Sequence, residues 1–170
     1  MLVRPAVPER DAAACAAIYA PHVDPGAASF EERPPDAAEL ARRIRSAHAW
    51  FVAEDDDGTV AGFAYASPHR DRAAYRWAVD VAAYVGDAHQ GRGGGRALYA
   101  ELLGVLRRRG FKSACAGITL PNDASVALHE SSGFEPVGVY RQIGFKAGKW
   151  RDVGWWQIIL TSDDTPPAGP

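Results

Sequence analysis

Gly86-Asp87-Ala88-His89-Gln90-Gly91-Arg92-Gly93-Gly94-Gly95-Arg96 stands between two strongly patterned stretches. Before it, Tyr75 to Val85 is rich in Val, Tyr and Trp and reads as a long strand interrupted by Asp80. After it, about Gly95 to Arg109 puts Leu98, Leu102, Leu103 and Leu106 on one face and reads as a helix, with Gly110 placed to end it. A strand that runs through glycines into a helix presents uncovered backbone N–H groups to a ligand. The helix N-terminus adds partial positive charge, and the result is a cradle for a pyrophosphate. Arg92 and Arg96 can supplement these donors. No Gly-Lys-Ser/Thr follows, so this is not a Walker A loop. No strand-helix-strand unit opens the chain, so it is not a dinucleotide fingerprint either.

Outward from the loop, the order of elements describes a mixed sheet. Leu2 to Ala6 reads as a strand and Pro8 to Ile18 as a helix that Pro21, Pro25 and Gly26 terminate. Asp36 is the expected N-cap of a helix over Ala37 to Ala47, with Glu39 as its capping-box partner. Trp50 to Glu54 and Thr59 to Ala66 form a hairpin around Asp57-Gly58. Beyond the central helix come a strand at Ser113 to Leu120, a short helix at Ala124 to Ser131, and two strands at Phe134 to Tyr140 and Val153 to Leu160. The expected class is α/β (α+β), a mixed central sheet flanked by helices. Residues 1–160 are expected to form a single domain and residues 161–170 a flexible, proline-rich tail.

Composition narrows the function. The chain has 170 residues, which suits one domain burying roughly 70% of its unfolded surface. Its 19 basic and 21 acidic residues give a net charge of -2, which argues against a generally basic nucleic-acid binder. Cys15 and Cys115 supply no disulfide framework and too few thiolates for a structural zinc; both fall on apolar-patterned elements, as packing residues do. No stretch is long and apolar enough to span a membrane, and no signal peptide is visible, so a cytoplasmic protein is expected.

Gln90-Gly91-Arg92-Gly93-Gly94-Gly95 resembles the Gln/Arg-x-x-Gly-x-Gly/Ala acetyl-CoA motif of the GCN5-related N-acetyltransferase (GNAT) superfamily. Other segments are similar to its phosphinothricin N-acetyltransferase group: Ala64-Tyr65-Ala66, Tyr84-Val85, Gly110-Phe111-Lys112-Ser113, Leu120 to Glu130, Gly133-Phe134 and Trp150 to Gly154. Leu-Pro-Asn-Asp at Leu120 to Asp123 and Leu-His-Glu at Leu128 to Glu130 are far more specific than the glycine loop. The resemblance runs from about Val3 to Leu160. It implies the GNAT acyl-CoA N-acyltransferase fold and a homodimer, with acetyl-CoA as co-substrate and no metal. The implied reaction is direct transfer of the acetyl group to the primary amine of a small amino-acid-like substrate. A protein or peptide N-acetyltransferase, or an acetyl-CoA-binding sensor without turnover, is the alternative. Neither nucleic acid nor membrane is an expected partner.

The same resemblance distributes roles. Backbone groups of Ala83, Tyr84 and Val85 would contact the thioester and pantetheine arm. Gln90, Gly91, Arg92, Gly93, Gly94, Gly95 and Arg96 would hold the pyrophosphate, with Asn122 and Ser125 beside the cofactor. The group usually has Glu in the central strand where this chain has Asp80, the candidate proton acceptor for the substrate ammonium, directly or through water. Asp is one methylene shorter, which withdraws its carboxylate by about 1.5 Å. Misplacement of about 1 Å can cost about 10²-fold in rate. His129, where relatives commonly place a tyrosine, is a candidate to protonate the leaving thiolate or to bind substrate, and Tyr140 is a second proton-donor candidate. An amino-acid carboxylate calls for cations, so Arg70, Arg72 and Arg76 are acceptor-site candidates, with Arg33 on another loop. Phe30 and Tyr75 would wall the pocket, and Glu31 next to Phe30 is a further substrate-binding candidate. Ser29-Phe30-Glu31 resembles the branch that acetylates methionine sulfoximine or methionine sulfone. Trp150, Trp155 and Trp156 pack the core or a dimer contact, or line the acceptor pocket.

Overall fold

The computed structural model describes residues 1–165. Its sheet has the order β1-β2-β3-β4-β5-β7-β6, with β1 Leu2–Pro5, β2 Ala49–Glu54, β3 Val60–Pro68, β4 Ala78–Val85, β5 Ser113–Leu120, β6 Glu135–Lys146 and β7 Lys149–Ile159. Every neighbouring pair is antiparallel except β4 and β5. A parallel pair needs a crossover, and the glycine loop with helix α3, Gly94–Arg108, supplies it. Leu98, Tyr99, Leu102, Leu103 and Leu106 of α3 are buried against one sheet face with Val79, Val81, Phe111 and Ala114. Helices α1, Pro8–Val23, and α2, Ala37–Ser46, cover the other face, where Cys15, Tyr19, Leu40 and Ile44 pack on Trp50, Val52 and Phe63. Helix α4, Asp123–Ser131, follows β5. No helix among the described residues is long and apolar enough to cross a membrane.

Most expected elements are present, and the differences have physical reasons. Helix α1 continues through Pro21 to Val23. Its last turn is anchored by buried Tyr19 and Val23, which offset the missing proline N–H. The strand expected from Tyr75 starts at Ala78 because Ala73–Tyr75 forms a 3-10 turn. The last two strands are longer than their patterns suggested and meet at Ala147-Gly148, both with positive φ. Asp36 caps α2 as expected, accepting the Glu39 N–H at 2.8 Å. In the expected tail, the Lys112 ammonium donates to the Asp163 carbonyl at 2.7 Å, and residues 166–170 lie outside the described residues.

Candidate active site

The parallel pair that joins the two parts of the sheet is short. β4 and β5 are in register at Ala78/Ser113, Val79/Ala114 and Asp80/Cys115, and then diverge. Beyond Asp80, β4 keeps its pairing with β3 through Ala82/Tyr65, Ala83/Ala64, Tyr84/Phe63 and Val85/Gly62, so its other edge is left open. The gap opens into a cavity of about 900 Å3 whose walls include Val81 to Val85, Gly117 to Thr119, the glycine loop, and Asn122 and Ser125. The expected cofactor-binding residues therefore converge on one cleft, save Arg92, which lies on the loop without lining it. The Tyr84 side chain does not face the cleft. It is half-buried, packed in the α1 cluster with its ring 4.8 Å from Tyr19, so its backbone is what it offers there.

The loop leaves a run of backbone donors free. Gly91 and Gly93 have φ of +74° and +82°, the left-handed region where a side chain is strained. The N–H groups of Gly91 to Arg96 donate to no backbone carbonyl among the described residues, and the first to do so is Ala97, to Gly93. A Cβ on Gly95 would lie 3.0 Å from Leu128, so glycine here also lets α3 approach α4. Asn122 caps α4, accepting the Ser125 N–H at 3.1 Å. Gln90 donates to Asp87 at 2.8 Å and fixes the entry to the loop.

Asp80 lies at the point where the two strands part. His69, just past the end of β3, brings its Nδ1 to 2.6 Å from the Asp80 carboxylate. Cys115 faces the same spot, and the three heteroatoms lie within 4.8 Å of one another. Burial pushes the Asp80 carboxyl up from its usual range, while His69 and Arg70 pull it down. Burial and the nearby Asp80 charge push the Cys115 thiol up, so it stays protonated. Tyr75 and Trp155 close the neighbourhood, with ring centroids 5.7 Å and 6.3 Å from His69. Tyr140 packs edge-on to Trp155 at 5.9 Å. The Trp155 indole N–H is buried without a partner among the described residues.

Other expected site residues have different surroundings. His129 lines the cleft but is buried, and both its nitrogens are engaged: Nδ1 donates to the Ser125 carbonyl at 2.7 Å and Nε2 accepts from the Tyr99 hydroxyl at 2.7 Å. Burial holds it below its ordinary pKa, so the imidazole is neutral, with no nitrogen free for a thiolate. Glu31 is not open to a substrate either. Its carboxylate accepts from Arg43 at 2.7 and 3.0 Å and from the Tyr19 hydroxyl at 2.9 Å, and these bonds pin the loop between α1 and α2. The Arg43 pairing lowers its pKa. Phe30 packs against Gly144 of β6, where a Cβ would collide with its ring. Arg70 donates to its neighbour's carbonyl at 2.7 Å, and Arg72 is exposed at the start of the 3-10 turn. Arg76 lies over the Trp77 ring.

His69 was not singled out as an acceptor-site residue, and Trp155 was named only together with Trp150 and Trp156, as packing or pocket-lining residues. For His69 a register signal existed: Ser67 pairs with Asp80, so the residue two further along returns to the same face.

Residues 5–155 match the model of the acetyltransferase (GNAT) domain family. A phosphinothricin N-acetyltransferase of Streptomyces viridochromogenes is 41% identical over 158 residues, 91% of this chain and 85% of the relative. An L-methionine sulfoximine/L-methionine sulfone acetyltransferase of Pseudomonas aeruginosa is 33% identical over 155 residues, 89% of this chain and 90% of the relative. The crystal structure of a GNAT superfamily phosphinothricin acetyltransferase from Sinorhizobium meliloti, in complex with acetyl-CoA, superposes with a TM-score of 0.93 at 37% identity, covering 99% of this chain and 94% of that one. Split strands, a glycine loop with free N–H groups and similarity along nearly the whole length agree: the chain belongs to the GNAT acetyltransferase family.

Proposed function

We propose that this chain is an acetyl-CoA-dependent N-acetyltransferase for the primary amine of a small amino-acid-like substrate, of the phosphinothricin, methionine sulfoximine or methionine sulfone type. The observation that carries the reading is the cleft where β4 and β5 part, with the glycine loop among its walls and the half-buried Asp80 carboxylate at the last paired position before it opens. When bound, acetyl-CoA supplies the acetyl group as a thioester. The free N–H groups from Gly91 to Arg96 suit its pyrophosphate, and Arg92 and Arg96 add charge. The open edge of β4 at Ala83, Tyr84 and Val85 suits the pantetheine amides and can polarise the thioester carbonyl. Asn122 and Ser125 hold the start of α4 beside it.

On the acceptor side, an ammonium has no lone pair to attack with, so a proton acceptor is needed, and the Asp80–His69 pair is where we centre it. The unpartnered Trp155 indole N–H suits an oxygen-rich substrate group, with Tyr75 as an apolar wall. With both nitrogens of His129 engaged, we assign the proton for the departing sulfur to Tyr140, whose ring packs on Trp155 beside the Asp80–His69 pair. We take residues 1–160 as one domain, since one sheet runs through them, and expect a cytoplasmic homodimer. Val137, Val139, Ile143, Phe145 and Trp150 are exposed on the β6–β7 hairpin, an apolar edge that a second copy would cover.

The test is release of CoA thiol from acetyl-CoA with methionine sulfoximine, methionine sulfone, phosphinothricin, ordinary amino acids and short peptides. Release with the first three is expected. Release with peptides alone would move the function to protein acetylation, and acetyl-CoA binding with no release on any amine would leave a sensor.

A further inference from the structure

We propose that His69 takes the proton from the acceptor ammonium, at Nε2, and that Asp80 is the positioning residue that fixes its tautomer and orientation. This rests on the acetyltransfer reading above. An ionised carboxylate only accepts hydrogen bonds, so the 2.6 Å contact requires that Nδ1 carry the proton. The lone pair of the neutral ring is then on Nε2. That nitrogen has no partner among the described residues and is not enclosed. The ring is held from its sides by Tyr75 and Trp155, the latter at an interplanar angle of 90°. An imidazole clamped by a carboxylate and aromatic edges, with its far nitrogen free, is the arrangement of an oriented general base.

The arrangement also explains how a shortened carboxylate can serve. Asp80 stands back from the position a glutamate would reach, and one of its oxygens is already taken by His69. The ring carries proton-accepting capacity outward by its own width. Once protonated, the imidazolium lies against an Asp80 carboxylate that stabilises it. The groups facing this pair are Arg70 on the same loop, Tyr75 on the 3-10 turn, Cys115 on β5 and Trp155 on β7.

In the step itself an ammonium N–H bond breaks, its electron pair stays on nitrogen, and the proton goes to Nε2. The freed pair forms the new bond to the acetyl carbon as the carbon–sulfur bond breaks and its pair departs on sulfur. Of the two protons the nitrogen gives up, one ends on the CoA sulfur and the other, through Nε2, in solvent.

The experiment compares His69→Ala, His69→Gln, Asp80→Glu and the double variant His69→Ala/Asp80→Glu, alongside nitrogen NMR of the ring in the protein alone. His69→Ala and His69→Gln should lose about 10²-fold in kcat with acetyl-CoA affinity and melting temperature unchanged. The double variant should regain most of that loss, because the longer glutamate reaches the amine unaided. NMR should show the neutral Nδ1–H tautomer in wild type and its loss in Asp80→Asn. Full activity in His69→Ala, failure of Asp80→Glu to repair it, or an Nε2–H tautomer would overturn the proposal. The tautomer is read without turnover, so a wild type silent on every amine would sink the acetyltransfer reading separately.

Discussion

Asp11 on α1 and Asp80 on β4 are both aspartates withdrawn from water, and their surroundings drive them in opposite directions. Asp11 is fully buried and would be pushed up by desolvation, yet its pKa is lowered. Arg4 grips both its oxygens at 2.7 and 2.8 Å, and the Val7 N–H adds a third bond at 2.7 Å. Arg4 also reaches Glu54, which Arg10 meets from the other side, so a closed ion network ties β1, α1 and β2 together. Asp80 has an imidazole in place of a guanidinium, and desolvation wins. A carboxylate saturated by arginine has no proton business left and serves the fold. One that is half satisfied and held above its ordinary pKa is prepared to exchange or share a proton.

The comparison breaks most visibly on stability. Asp11→Asn leaves Arg4 with Glu54 alone and breaks a buried ion pair, which should cost about 3 kcal/mol in denaturant unfolding, whereas Asp80→Asn should unfold at nearly the wild-type midpoint. An equal loss in both would erase the distinction. A smaller effect is the sign of the pH dependence. Asp11 has its folded pKa below the unfolded one, so its stabilisation is complete above about pH 3.9 and is lost as pH falls through the folded value. Asp80 has its folded pKa above the unfolded one, so stability falls as pH rises from about 3.9 through the raised value. Melts from acid to neutral pH should therefore show wild type gaining on Asp11→Asn and losing ground to Asp80→Asn. The smallest effect calibrates both. Asp36 is exposed and accepts one backbone N–H, and Asp36→Ala should cost about 1 kcal/mol of helix capping, read from the same melts.

The parts of the molecule visible in the sequence were those governed by local rules. The Asp36 cap, the Asp57-Gly58 turn, the leucine face of α3 and the glycine cradle each follow from residues close together in the chain. What escaped depends on partners far along the chain. The His69–Asp80 contact needs the β3–β4 register, and the engagement of His129 needs Tyr99, thirty residues away on another helix. Glu31 looked available because its neighbours in sequence are not its neighbours in space; Arg43 reaches it from α2. The β6–β7 hairpin was read short because its exposed apolar side chains show no clean alternation, as expected for an edge with no cover of its own.

The three paired positions between β4 and β5 act as a spine between two leaves, one of four strands and one of three. A molecule lying along the open edge of β4 would splint those leaves by supplying partners the backbone lacks. Tight binding to the folded state raises its population by mass action. Acetyl-CoA lying there would thus raise the melting temperature of the folded chain in proportion to the logarithm of its concentration above Kd.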